Sequence, residues 1–206
     1  MIRGSTKKQI FFVFVLYFLF SFLNHAFCEE PTDPVDNATC FSCHGYPSSD
    51  PYIDPEKFKA SAHGKSQCVG CHSGIKEASH DTPLKPVGCS SCHRAETESY
   101  LHSDHGKALG SGATEAATCQ ACHGSPHELR NAFDPQSSVY RKNIPQTCAR
   151  CHAKTQEMEK FNLDIKEPVS SYIQSVHGIA VQKDNGAQVA VCTDCHGSHA
   201  LNRATN

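Results

Sequence analysis

Cys119-Gln120-Ala121-Cys122-His123-Gly124-Ser125, with Ser103-Asp104-His105-Gly106 ahead of it and His127 behind, decides how this chain is read. At its centre is Cys-x-x-Cys-His. The same pentapeptide stands at Cys40-Phe41-Ser42-Cys43-His44, Cys68-Val69-Gly70-Cys71-His72 and Cys89-Ser90-Ser91-Cys92-His93. It returns at Cys148-Ala149-Arg150-Cys151-His152 and Cys192-Thr193-Asp194-Cys195-His196. Twelve of the 13 cysteines fall in these six copies, and the thirteenth, Cys28, lies near the N-terminus.

Each copy is an attachment signal for covalent c-type haem. The two thiols bond to the vinyl-derived carbons of the macrocycle, and the adjacent His supplies the proximal nitrogen to the iron. The cofactor expectation is six covalently bound haem c, with no catalytic residue assigned. Other uses of cysteine fit less well. A zinc ribbon pairs CxxC knuckles but gives no reason for a His after every second Cys. A thioredoxin-like site uses one CxxC beside a βαβ unit, and a disulfide scaffold needs neither the spacing nor the His.

The histidines beyond the motifs follow a repeat. Ser-x-His-Gly precedes three of the motifs, at Ser61-Ala62-His63-Gly64, Ser103-Asp104-His105-Gly106 and Ser175-Val176-His177-Gly178. An aromatic residue stands five positions ahead of each of these histidines: Phe58, Tyr100 and Tyr172. After the same three motifs comes one more His: His80, His127 and His199. Residues 29–206 therefore read as one domain of three di-haem units, 40–80, 89–127 and 148–199.

Six proximal histidines leave six axial positions to fill. Seven further histidines lie beyond residue 28, and the repeat leaves out only His102. His63, His80, His105, His127, His177 and His199 are the expected distal ligands, with a swap between His102 and His105 the easiest error. His127 lies four residues after His123, and His199 three after His196. Linkers that short cannot pass round a macrocycle, so these two are expected to serve a neighbouring haem. Met158 is the only Met after Met1. Methionine ligation raises reduction potential, so its scarcity points to low-potential haems.

Arg3, Lys7 and Lys8 precede an apolar run from Ile10 to Leu23, and Ala26 and Cys28 lead into polar sequence. That pattern reads as a signal peptide over residues 1–28. The alternative is an uncleaved membrane anchor formed by residues 10–27. The expected location is periplasmic or extracellular after export, or the inner membrane if the anchor is kept. Beyond residue 28 there are 16 basic residues against 21 acidic, a net charge of −5. This excludes nucleic acid as the expected partner. Apolar residues make up 38 % of the chain and Trp is absent, so an aliphatic core alone would be thin.

The expected fold class is mainly α with extensive loops, haem-packed, with little or no sheet. Pro55 to His63, Glu96 to His105 and Glu167 to His177 each predict a helix that delivers its His in the last turn, with Gly64, Gly106 or Gly178 releasing the chain. Gln146 to Phe161 predicts a helix running through the fifth motif. Loops are expected at 31–37, 47–55, 81–88 and 110–116.

On these residues the chain resembles the multihaem cytochrome c superfamily, and is most similar to periplasmic cytochromes with Ser-x-His-Gly…Cys-x-x-Cys-His-Gly repeats. The resemblance implies electron transfer in anaerobic respiration. Implied partners are redox proteins: a membrane quinol dehydrogenase or cytochrome as donor, and a terminal reductase or outer-membrane conduit as acceptor. It leaves three alternatives: a membrane-anchored quinol dehydrogenase subunit, a reductase with one open haem, and a subunit of a cytochrome filament.

Overall fold

Every regular element among the described residues is helical, and none of those residues forms a strand. The structure, a computed structural model, describes residues 35–80, 84, 86–154, 158–161, 167–183 and 188–203. The expected leader and half of the 81–88 loop lie outside them. No helix among the described residues is long and apolar enough to cross a membrane.

The motifs themselves make short helices. Positions i, i+3 and i+4 share one helical face, so a single turn presents both cysteines and the His together. Helix α1 (Asn37–His44) carries the first motif, and the Asp36 carboxylate caps it by accepting the Thr39 N–H at 2.7 Å. Helix α2 (Pro55–Ala60) starts on Pro55, with Asp54 accepting from Glu56 and Lys57. Helix α3 (Cys68–Cys71) holds the second motif. The third forms a 3-10 turn, Cys89–Ser91, that still brings His93 N–H onto the Cys89 carbonyl at 2.9 Å.

Helices α4 (Arg94–Leu101) and α5 (Asp104–Gly110) follow, then α6 (Cys119–His123) with the fourth motif. Helix α7 (Ile144–His152) carries the fifth, starting two residues earlier than expected and stopping at its His. Helices α8 (Pro168–Gln174) and α9 (Val176–Lys183) precede α10 (Cys192–His196), the sixth motif. After α6 and α10 the chain turns through Gly124 and Gly197 at φ +87° and +83°, a left-handed exit that favours glycine.

The helices leading to the Ser-x-His-Gly histidines correct the expectation. In units two and three the helix stops before the Ser, and the His lies in the first turn of a second helix. Ser103 Oγ accepts the Gly106 N–H at 3.0 Å and donates to the Tyr100 carbonyl at 2.6 Å. Ser175 does the same with Gly178 and Tyr172, at 3.2 and 2.7 Å. The serine is thus an N-cap, and the glycine is not a stop. In unit one the helix ends at Ala60 and His63 follows in a turn.

Apolar burial is sparse. Phe58, Val181 and Val191 are the buried hydrophobic residues among those described, with Ser103 and Ser137 as buried polar ones. Phe41 packs edge-on against Phe58, ring centroids 5.9 Å apart. Phe133, by contrast, is 88 % exposed. The polypeptide alone supplies little of a core.

Candidate functional site

Units two and three repeat in space as well as in sequence. Tyr100 Oη donates to the Ala117 carbonyl at 2.9 Å, and Tyr172 Oη to the Ala190 carbonyl at 3.0 Å. Both acceptors stand two residues ahead of a motif's first Cys, so each tyrosine ties a Ser-x-His-Gly segment to the second motif of its unit. In each unit the first cysteines of the two motifs lie close enough to influence one another electrostatically: Cys40 with Cys68, Cys89 with Cys119, Cys148 with Cys192. None of the twelve described cysteines is in a disulfide.

Burial, then Cys40, push the Cys68 thiol up to about 11. In unit three the neighbouring thiols shift in opposite directions, Cys192 brought down to about 7 by Cys148 beside it while Cys148 is pushed up. Asp194, between Cys192 and Cys195, accepts the Val191 N–H at 2.6 Å and pairs with Arg141 at 2.7 Å. Those two contacts hold its carboxyl below the usual range and fix the start of α10.

Five of the six motif histidines face a second imidazole at nearly one distance. The centroid separations are 6.0 Å for His44–His80, 6.1 Å for His63–His93, and 6.0 Å for His72–His127. His105–His152 and His123–His199 stand at 5.9 and 6.1 Å. Three pairs are nearly parallel, at 20°, 18° and 9°. A gap this wide is too great for stacking contact. Two His–metal bonds of about 2 Å each, plus the half-ring from each nitrogen to its centroid, span about 6 Å. The pairs therefore fit one metal atom held between two imidazoles.

Backbone carbonyls fix several of these rings. Nδ1 of His44 bonds the Pro51 carbonyl at 3.0 Å, that of His196 the Asn202 carbonyl at 2.9 Å, and that of His63 the Pro126 carbonyl at 3.4 Å. With Nδ1 donating, Nε2 is left as the ligating nitrogen. Burial lowers the pKa of His105, His123, His127 and His152, favouring the neutral imidazole that binds metal. Among the described residues no group of three or more His, Cys, Asp or Glu side chains has the arrangement to hold a metal ion as a cluster. The candidate ligands come in twos.

His127 and His199 lie opposite His72 and His123. His105 faces His152, whereas His102 is exposed and opposes no imidazole among the described residues. His177 and His196 form no such pair with each other or with any described histidine. Four pairs cross from one unit to the next, and sequence spacing did not specify the partner in any of them. The aromatic residue five positions ahead of each Ser-x-His-Gly histidine was visible in the sequence. The carbonyl bonds that Tyr100 and Tyr172 make were not. The chain matches no protein-family model, no curated protein and no solved structure.

Proposed function

We propose that this chain is a hexahaem c-type cytochrome that transfers electrons at low potential and performs no substrate chemistry of its own. The observation that carries the reading is the set of five imidazole pairs, each joining a CxxCH histidine to a histidine outside the motifs across about 6 Å. The haem supplies reversible one-electron chemistry at its iron.

The chain's residues attach, ligate and position. Each Cys pair would hold one haem on its helical turn, with the adjacent His as one iron ligand and His63, His80, His105, His127 or His199 as the other. Because four of those ligands come from a neighbouring unit, each ligation also draws two units together and keeps the redox centres close. Two imidazole ligands would hold the potential low relative to His/Met ligation. The flat apolar macrocycles also fill the interior that Phe58, Val181 and Val191 leave thin. Export to the periplasm or beyond follows from the leader and from cysteines that must meet haem outside the cytoplasm. The partners are a quinol-linked membrane donor and a terminal acceptor.

The test is protein purified from a host that matures c-type cytochromes, assayed by pyridine haemochrome and redox titration. Six haems per chain with negative potentials are expected. Colourless protein, or protein with zinc in place of iron, would overturn the reading.

A further inference from the structure

Contacts between successive units follow one rule. The Ser-x-His-Gly histidine of a unit faces the first motif of the next: His63 faces His93, and His105 faces His152. The trailing histidine of that next unit faces the second motif of the unit before: His127 faces His72, and His199 faces His123. A backbone bond accompanies each crossing. The residue before the Ser-x-His-Gly histidine donates its N–H to a leucine carbonyl two positions after the next unit's trailing His. These bonds are Ala62 to Leu129 at 2.7 Å and Asp104 to Leu201 at 2.9 Å.

Unit three presents the same face without an occupant. His177 is exposed where His63 and His105 are half-buried. Val176, in the place of Ala62 and Asp104, makes no matching bond among the described residues and is 77 % exposed. His196 meets no second imidazole there. Ile173 and Ile179 on the flanking helices are each 44 % exposed. At the other end, unit one has no unit ahead of it in this sequence, and its trailing His80 faces its own first motif at His44. Nδ1 of His80 is buried with no hydrogen-bond partner among the described residues. A ligating histidine ordinarily donates that N–H, so the His44–His80 pairing lacks its usual support.

We propose that unit three docks on unit one of a second copy, continuing the unit-to-unit rule between chains. His177 of one copy faces His44 of the next, and His80 of that next copy leaves His44 to face His196. The Val176 N–H then gains an acceptor across the contact. A head-to-tail contact of this kind leaves the same pair of faces free at each end, so it propagates. The inference rests on the haem reading above.

Holoprotein is examined by light scattering and electron microscopy for size, and by EPR for spin state, with pyridine haemochrome run in parallel. Six haems per chain keep the cofactor reading whatever the size result; a chain without haem removes both. The wild type is expected to form oligomers that lengthen with concentration, with essentially all haem low-spin. His177→Ala is expected to be monomeric, with six haems of which one in six is high-spin. Val176→Pro removes only the proposed N–H at a position that opens a helix, after a Ser175 already in extended backbone. It should weaken association about tenfold and leave the monomer folded. His102→Ala should assemble as the wild type does. A wild-type monomer with six low-spin haems would overturn the proposal, because His177 would then serve its own chain. So would a monomer whose one high-spin haem binds nitrite, which favours a reductase, or a His177→Ala protein that assembles normally.

Discussion

Gly106 and Gly178 stand where a Cβ would run into the carbonyl oxygens of Tyr100 and Tyr172. The backbone of each new helix therefore passes close over the end of the one before, which only glycine permits. Gly106→Ala should cost about 3 kcal/mol, the upper range for forcing atoms into packed structure. Gly110→Ala, whose Cβ enters open space, should shift the melting temperature little. Thermal unfolding of the two holoproteins compares them directly.

At the scale of elements, the sequence carried two opposite signals in the same four residues. Ser in Ser-x-His-Gly is a helix-starting residue, and Gly in the same segment is a common helix stop. The stop was the natural reading after the apolar and aromatic run that leads into it. The structure follows the Ser, because Ser103 and Ser175 each satisfy a backbone donor on one helix and a carbonyl on the other. Ser103→Ala should destabilise by about 1–2 kcal/mol, the range for a lost helix cap. The cost should appear as a lower denaturation midpoint with an unchanged haem spectrum. The motif helices were legible throughout, since i, i+3 and i+4 spacing puts two thiols and an imidazole on one face whatever surrounds them.

For the whole molecule, membership in a repeat was legible while partnership was not. The flanks of the motifs singled out His63, His80, His105, His127, His177 and His199, and short linkers excluded self-ligation for His127 and His199. Which imidazole faces which depends on how the units stack, a property of tertiary contacts between residues up to 76 positions apart, as in His123–His199. The sparse apolar burial has a consequence at this scale. With so few buried side chains among the described residues, the polypeptide cannot offset the conformational entropy of about 1–2 kcal/mol per ordered residue. Haem-free chain made without the maturation machinery should show no cooperative transition by circular dichroism on heating. A sharp transition in that material would show that the helices pack without the cofactor.

Iron between the paired imidazoles would leave a spectroscopic signature. Low-temperature EPR of the oxidised holoprotein, with spins integrated against the haem count, should show bis-imidazole low-spin ferric signals for at least five of six haems per chain. Predominantly high-spin iron, or a metal content dominated by zinc, would contradict it.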